Sequence, residues 1–181
     1  MKVRNTGWVS GMRRIPSPNC DRRPPGTSVS LLVIHNISLP PGQFGGQAIT
    51  QLFTNTLDTR THPYFSGLKG LRVSAHFLIR RSGETIQFVP CSRRAWHAGV
   101  SAWQGRAACN DFSIGIELEG TDSLPFSDRQ YAVLIRLTRV LRRAYPLRDL
   151  VGHSDIAPGR KTDPGPAFDW PRFLRGMESM P

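Results

Sequence analysis

Ser30–Ile37, SLLVIHNI, is an unbroken apolar run that turns polar only at His35 and Asn36, the pattern of a buried strand. Such a strand delivers its last side chains to the rim of a sheet, where open α/β sheets tend to place ligands. Ser113–Gly120, SIGIELEG, alternates instead: Ile114, Ile116 and Leu118 point one way, Gly115, Glu117 and Glu119 the other. Gly115 is expected to leave open space beside Glu117. The alternation leaves two readings of Glu117, a general base beside cleared space or an acid shown to solvent on an edge strand. His76–Arg80 and Thr85–Pro90 flank a Ser-Gly turn and predict a hairpin, and Asp149–His153 predicts a further short strand.

Helical spacing appears three times. Ile49, Leu52 and Phe53 share one face of a short helix, and Trp170, Phe173 and Leu174 are expected to pack from a final helix over Asp169–Met177. The strongest signal runs from Ser127 to Tyr145, where Tyr131, Leu134, Leu137 and Leu141 repeat at helical intervals. Ser127 and Gln130 form an S-x-x-Q capping box at its start and Pro146 stops it. Its polar face carries Arg136, Arg139 and Arg143, read as a solvated surface rather than a phosphate stripe.

Between these elements lie segments rich in Gly and Pro. Residues 1–28 read as an irregular arm packed along the edge of one domain spanning 1–181, and Ser38–Gly46 and 61–72 read as loops. Arg93–Phe112 has little periodicity but holds Trp96, His97 and Trp103, flat faces suited to a sugar or to plugging the core. Gly152–Pro166, GHSDIAPGRKTDPGP, is broken by Pro158, Pro164 and Pro166 and is expected to be an ordered, non-helical loop. Ordered polar loops tend to carry function.

Composition narrows the classes. A chain of 181 residues with 39% hydrophobic positions holds one sizeable core, and no apolar run approaches the roughly 18 residues of a membrane span. The basic N-terminus lacks the apolar stretch of a secretory signal, so no membrane partner and a cytoplasmic location are expected. Three cysteines without a CxxC pair are expected to stay reduced. The net charge of +11 comes from arginines scattered singly or in pairs, which points to a basic surface for an acidic small substrate and not to a nucleic-acid partner.

His153 and Asp163 offer nitrogen and oxygen ligands for a borderline divalent metal, with the positive charge of Lys161 two residues before the Asp. Periodicity does not say which of His35, His62, His76, His97 and His153 bind metal, nor whether Asp155 or Asp163 supplies the oxygen. His153-Ser154-Asp155 matches half of a facial triad for non-haem iron, but that arrangement wants a later His and none follows.

The segments VIHNISLPPGQFGG, HPYF, VSAHFLI, RAWHAGVS, CNDFSIGIELEGTD and GHSDIAPGRKTDPGPAFDW, in this order, resemble the AmpD-type 1,6-anhydro-N-acetylmuramoyl-L-alanine amidases over about Gly7–Phe173. The resemblance implies an α/β (α+β) fold, a central mixed β-sheet flanked by helices, of the zinc amidase and peptidoglycan-recognition kind. It implies one Zn2+ per chain on His35, His153 and Asp163, with Glu117 activating water and Lys161 stabilising the transition state. The expected partner is a 1,6-anhydromuropeptide, cut between the lactyl group and L-Ala by a monomeric enzyme of cell-wall recycling. Asn36, Tyr64, Arg72, Trp96 and His97 are implied as pocket residues. Relatives can carry an Arg where this chain has Ala108, and Arg106 is the nearest residue expected to clamp the stem-peptide carboxylate in its place. A peptidoglycan-binding module without activity, a zinc peptidase cutting another muropeptide bond and a nucleic-acid binder are the competing readings.

Overall fold

The computed structural model describes residues 1–178 and builds them around a mixed six-stranded sheet. The strands are β1 (Arg13–Arg14), β2 (Cys20–Arg22), β3 (Leu31–Ile37), β4 (Phe77–Ile79), β5 (Thr85–Gln87), β6 (Arg93–Ala95), β7 (Ala102–Trp103), β8 (Arg106–Ala107), β9 (Ser113–Glu119) and β10 (Asp149–Gly152). The helices are α1 (Ala48–Phe53), α2 (Asp128–Ala144), α3 (His153–Ile156) and α4 (Trp170–Glu178). Parallel pairing joins β1 to β5, β4 to β9, β9 to β3 and β3 to β10; only the predicted β4–β5 hairpin is antiparallel. β2 pairs with β6, and β7 with β8, in separate antiparallel ribbons.

Side-chain alternation sorts the sheet into two faces. Leu32 and Ile34 of β3, Phe77 and Ile79 of β4, and Ile114, Ile116 and Leu118 of β9 pack with Tyr131, Leu134, Leu137 and Leu141 of α2 and Phe173 of α4. The other face presents Leu31, Val33 and His35 from β3 and Gly115 and Glu117 from β9. Helix α1 and the one-turn α3 cover that face only in part. Chemistry is therefore confined to the side of the sheet away from α2 and α4, at the carboxyl ends of its parallel strands, as expected of an open sheet.

Four expectations change. β9 is not an edge strand: it lies between β4 and β3 with all seven residues buried. The N-terminal arm is irregular but adds Arg13–Arg14 to the sheet edge through main-chain pairing, which needs no apolar pattern. Within the Gly152–Pro166 loop, His153–Ile156 close one helical turn, because the first proline comes only at 158 and Asp155 Oδ2 accepts the Gly152 N–H at 2.7 Å. Leu174 is 43% exposed rather than packed, since Phe173 takes the inward position of α4.

The α2 capping box forms as read, with Gln130 N–H donating to Ser127 Oγ and Ser127 N–H to Gln130 Oε1. Gln130 then extends its amide to the carbonyls of Ile79 and Glu119, tying the helix start to β4 and β9. Arg139 of the arginine face donates to the Gly176 carbonyl and joins α2 to α4. No helix among the described residues is long and apolar enough to cross a membrane.

Candidate metal centre

Parallel pairing of β3 with β9 sets His35 directly beside Glu117, and pairing of β3 with β10 sets Ile34 beside Gly152, one residue before His153. The Gly152–Pro166 segment then folds back so that Ser154 N–H donates to the Asp163 carbonyl at 2.9 Å. Two side chains at strand ends and one on the returning loop meet at one point. His35 Nδ1 and His153 Nδ1 are 3.0 Å apart, and Asp163 Oδ2 lies 3.1 Å from each. Burial raises the Asp163 carboxyl, but before a cation binds, hydrogen bonds from His153 and His35 outweigh that and hold it well below the usual carboxylate range, a role that a bound cation takes over. Burial also pushes His35 down to about 4, keeping its ring neutral at ordinary pH.

These residues fit a divalent metal. A tetrahedral ion with bonds of about 2.0–2.1 Å holds its ligand atoms roughly 3.3–3.4 Å apart, close to the spacing found. The hydrogen-bond partners behind the ligands turn the lone pairs inward. The Ala98 carbonyl, 3.2 Å from His153 Nε2, can only accept, so His153 carries its proton there and leaves Nδ1 bare. His35 does the same when its Nε2–H donates to His97 Nδ1 at 2.9 Å and His97 Nε2–H donates to Ser113 Oγ at 3.1 Å. Bare nitrogens facing a carboxylate oxygen need a cation between them. The two aspartates are also told apart: Asp155 is spent on capping α3, and Asp163 faces the histidines.

Glu117 stands beside this cluster, 8% exposed, and its Oε2 is buried with no hydrogen-bond partner. Burial raises it well above the usual carboxylate range, the Asp163 charge raises it further, and Lys161 opposes both. The three ligands, Glu117 and Lys161 all line one cavity of about 470 Å³, walled by Leu39, Pro41, Leu52, Tyr64, Leu68 and Trp96. An unpartnered carboxyl, an exposed ammonium and a metal-ready triad in one cleft have the composition of a hydrolytic site.

The other residues implied for the pocket divide. Tyr64 is exposed and Trp96 half-buried on the cavity wall. Asn36 lines the cavity too, but its amide is committed to Asp122 Oδ1 at 2.6 Å and the Pro164 carbonyl at 3.0 Å, bracing the loop that carries Asp163. Arg72 is exposed and lines a smaller hollow behind Leu71. Arg106 is at the wrong end of the sheet: it donates to Ser30 Oγ and stacks on Phe112 at 3.7 Å, in a separate hollow. Five strand residues, about 16 Å, separate Ser30 from His35, so Arg106 does not clamp a ligand in the metal cavity. Ala108 is exposed and does not line it either.

Two of the remaining histidines are explained by the backbone. His76 Nδ1 accepts the Gly115 N–H, and burial followed by the Arg23 charge pushes it down to about 3. His62 Nδ1 accepts the Tyr64 N–H at the head of the 3-10 turn Pro63–Leu68, in a segment read as plain loop.

The space at Gly115 is not left for Glu117. A Cβ there would lie 2.5–2.7 Å from the His97 ring, so the glycine admits the imidazole that supports His35. Gly115→Ala is expected to displace His97, lowering metal affinity about 10- to 100-fold and stability by about 1–3 kcal/mol. Zinc titration and thermal melting of the variant read the two effects. Unchanged zinc affinity would show that His97 does not orient His35. Neither periodicity nor spacing signals this role for Gly115, or that of Asp122, because both depend on contacts between distant segments.

The sequence matches a family model described as N-acetylmuramoyl-L-alanine amidase over residues 25–166. It is 61% identical over 169 residues to the 1,6-anhydro-N-acetylmuramyl-L-alanine amidase AmpD of Escherichia coli K12, covering 92% of each chain. The fold superposes on the crystal structure of a selenomethionine AmpD derivative with a TM-score of 0.93 and 59% identity, covering 95% of this chain and 97% of that one. It also resembles the E. coli amidase AmiD, solved in complex with the substrate anhydro-N-acetylmuramic acid-L-Ala-D-gamma-Glu-L-Lys. That match has a TM-score of 0.60 at 31% identity, over 86% of this chain and 60% of the other.

Proposed function

The chain belongs to the N-acetylmuramoyl-L-alanine amidase family, and from that membership we propose that it hydrolyses the amide between 1,6-anhydro-N-acetylmuramic acid and the L-Ala of its stem peptide. The observation that carries this reading is the meeting of His35, His153 and Asp163 beside the unpartnered carboxyl of Glu117 in one cleft.

His35, His153 and Asp163 would hold one Zn2+ per chain. When bound, zinc supplies Lewis acidity and brings the pKa of a coordinated water to about 7. Glu117 takes a proton from the attacking water, whose oxygen forms the new bond to the lactyl carbonyl carbon. Its raised proton affinity suits a group that must hold that proton and then give it up. The Lys161 ammonium faces the oxygen that gains negative charge as the carbonyl is attacked. Glu117 then delivers its proton to the departing L-Ala nitrogen, the C–N bond breaks, and a muramoyl carboxylate and a free stem peptide leave. Tyr64 and Trp96 offer aromatic faces to the sugar.

All five groups come from one chain, so a monomer suffices. The free state of Cys20, Cys91 and Cys109 accords with a reducing cytoplasm, where recycled anhydromuropeptides would be processed.

Mass spectrometry of the protein incubated with 1,6-anhydro-N-acetylmuramoyl tripeptide tests this. Free tripeptide and anhydro-sugar are expected, lost on adding a zinc chelator and restored by zinc. Cleavage within the stem would make the protein a peptidase, and intact substrate retained by the zinc-loaded protein would make it a binding module.

A further inference from the structure

Two residues beyond Glu117 on the same strand face, Glu119 is 2% exposed and does not belong to the cluster around the metal ligands. Its Oε1 accepts the Gly45 N–H at 2.7 Å and Arg80 Nη1 at 3.2 Å, and its Oε2 accepts the Arg81 N–H at 3.2 Å. Arg80 Nη1 in turn donates to the Gly46 carbonyl at 2.9 Å, and the Arg81 guanidinium lies over the Phe44 ring at 5.0 Å. Three consecutive residues at the far end of the Ser38–Gly46 loop are thus fastened to β9 and the end of β4. The near end of that loop supplies Ser38, Leu39 and Pro41 to the cavity wall.

A buried Arg–Glu pair is a poor source of net stability, because desolvating both charges offsets most of their attraction. Arg80 Nη2 is moreover buried without a partner. What the pair does well is fix geometry. The charges fix the positions of a main-chain N–H and a main-chain carbonyl in a loop that otherwise has only short internal bonds, Gly42 N–H to Ser38 Oγ and Gln43 N–H to the Pro40 carbonyl.

We propose that Glu119 and Arg80 are positioning residues that hold the Ser38–Gly46 loop as the substrate-binding wall of the cavity, setting affinity for the muropeptide rather than the chemical step. This rests on the amidase reading above. Interactions present equally in the bound substrate and the transition state act on KM and leave kcat alone, which separates a wall from a catalytic group.

Glu119→Asp keeps the charge beside Arg80 but withdraws the carboxylate by one methylene, about 1.5 Å, too far for the Gly45 bond. In zinc-loaded enzyme we expect it to raise KM for the anhydromuramoyl tripeptide about tenfold while kcat stays within about threefold, with zinc still at one per chain. Hydrogen exchange at the Gly45 amide, protected in the wild type, should quicken in the variant. Glu119→Gln keeps the reach and an acceptor for the Gly45 N–H but turns an NH2 toward the Arg81 N–H and leaves Arg80 without its buried counter-charge, so KM should rise there too, with the Gly45 amide better protected than in Glu119→Asp.

An unchanged KM in Glu119→Asp, a fall in kcat as large as the rise in KM, or an unprotected Gly45 amide in the wild type each overturns the proposal. If Glu119→Asp does not fold, Phe44→Ala loosens the same segment from the solvent side and must raise KM in the same way. Should the wild type release no tripeptide, the amidase reading fails by itself, while exchange at Gly45 still decides whether the loop is fastened.

Discussion

Asp163→Ala is expected to purify without stoichiometric zinc and to lose activity by roughly three orders of magnitude or more, because the nucleophile depends on the metal. Asp163 supplies the only oxygen in the ligand triangle, 3.1 Å from each imidazole nitrogen it faces. Removing it leaves two neutral nitrogens to hold a divalent cation. The informative control is Asp155→Ala, the same residue type eight positions earlier in the chain. Asp155 closes the α3 turn through the Gly152 N–H, so its loss should cost about 1 kcal/mol of capping while zinc stays bound. Metal analysis of both variants by atomic emission, beside turnover of the anhydromuramoyl tripeptide, checks this. Zinc retained by Asp163→Ala and lost by Asp155→Ala would reverse the ligand assignment.

That pair of aspartates also marks the limit of what local sequence encodes. Elements whose signals are local were legible: the apolar run of β3, the β4–β5 hairpin around its Ser-Gly turn, and α2 with its capping box. Local sequence left Asp155 and Asp163 equivalent, and only resemblance to a family separated them. Their difference lies in a fold-back that brings Asp163 to His35 across 128 positions. Parallel pairing of β3 with β9 has the same character: it joins residues about eighty apart and puts His35 beside Glu117, with no turn between them to announce it.

The alternation of β9 sorts its side chains into two faces but does not show that the polar face is buried as well. Period two says which residues share a side, not what covers that side. Here Gly115 takes an imidazole, Glu117 faces the cavity, and Glu119 is closed over by a loop. Arg106 failed for the opposite reason. Closeness in sequence to Ala108 made it seem a substitute, but the β7–β8 hairpin carries it to the amino end of β3.

Glu117→Gln should leave zinc at one per chain and lower kcat by about 100- to 10,000-fold, the range for removing a general acid–base. The amide matches the carboxylate in size, and the His35 and Leu78 neighbours of Glu117 on β3 and β4 need no repacking, so the loss reports proton transfer and not collapse. Stability should move the other way. Burial raises Glu117 in the folded state above its unfolded value, so the native protein binds more protons than the unfolded chain between those two values. Stability therefore falls as pH rises through that window, and a neutral Gln escapes the penalty. Zinc-free Glu117→Gln is expected to melt above zinc-free wild type at pH 7, the gap closing as pH drops below the ordinary carboxylate range. A residue kept for structure would show the reverse, lower melting with turnover intact. Near-normal turnover would remove Glu117 from the proton path and leave its buried, unpartnered carboxyl without a chemical task.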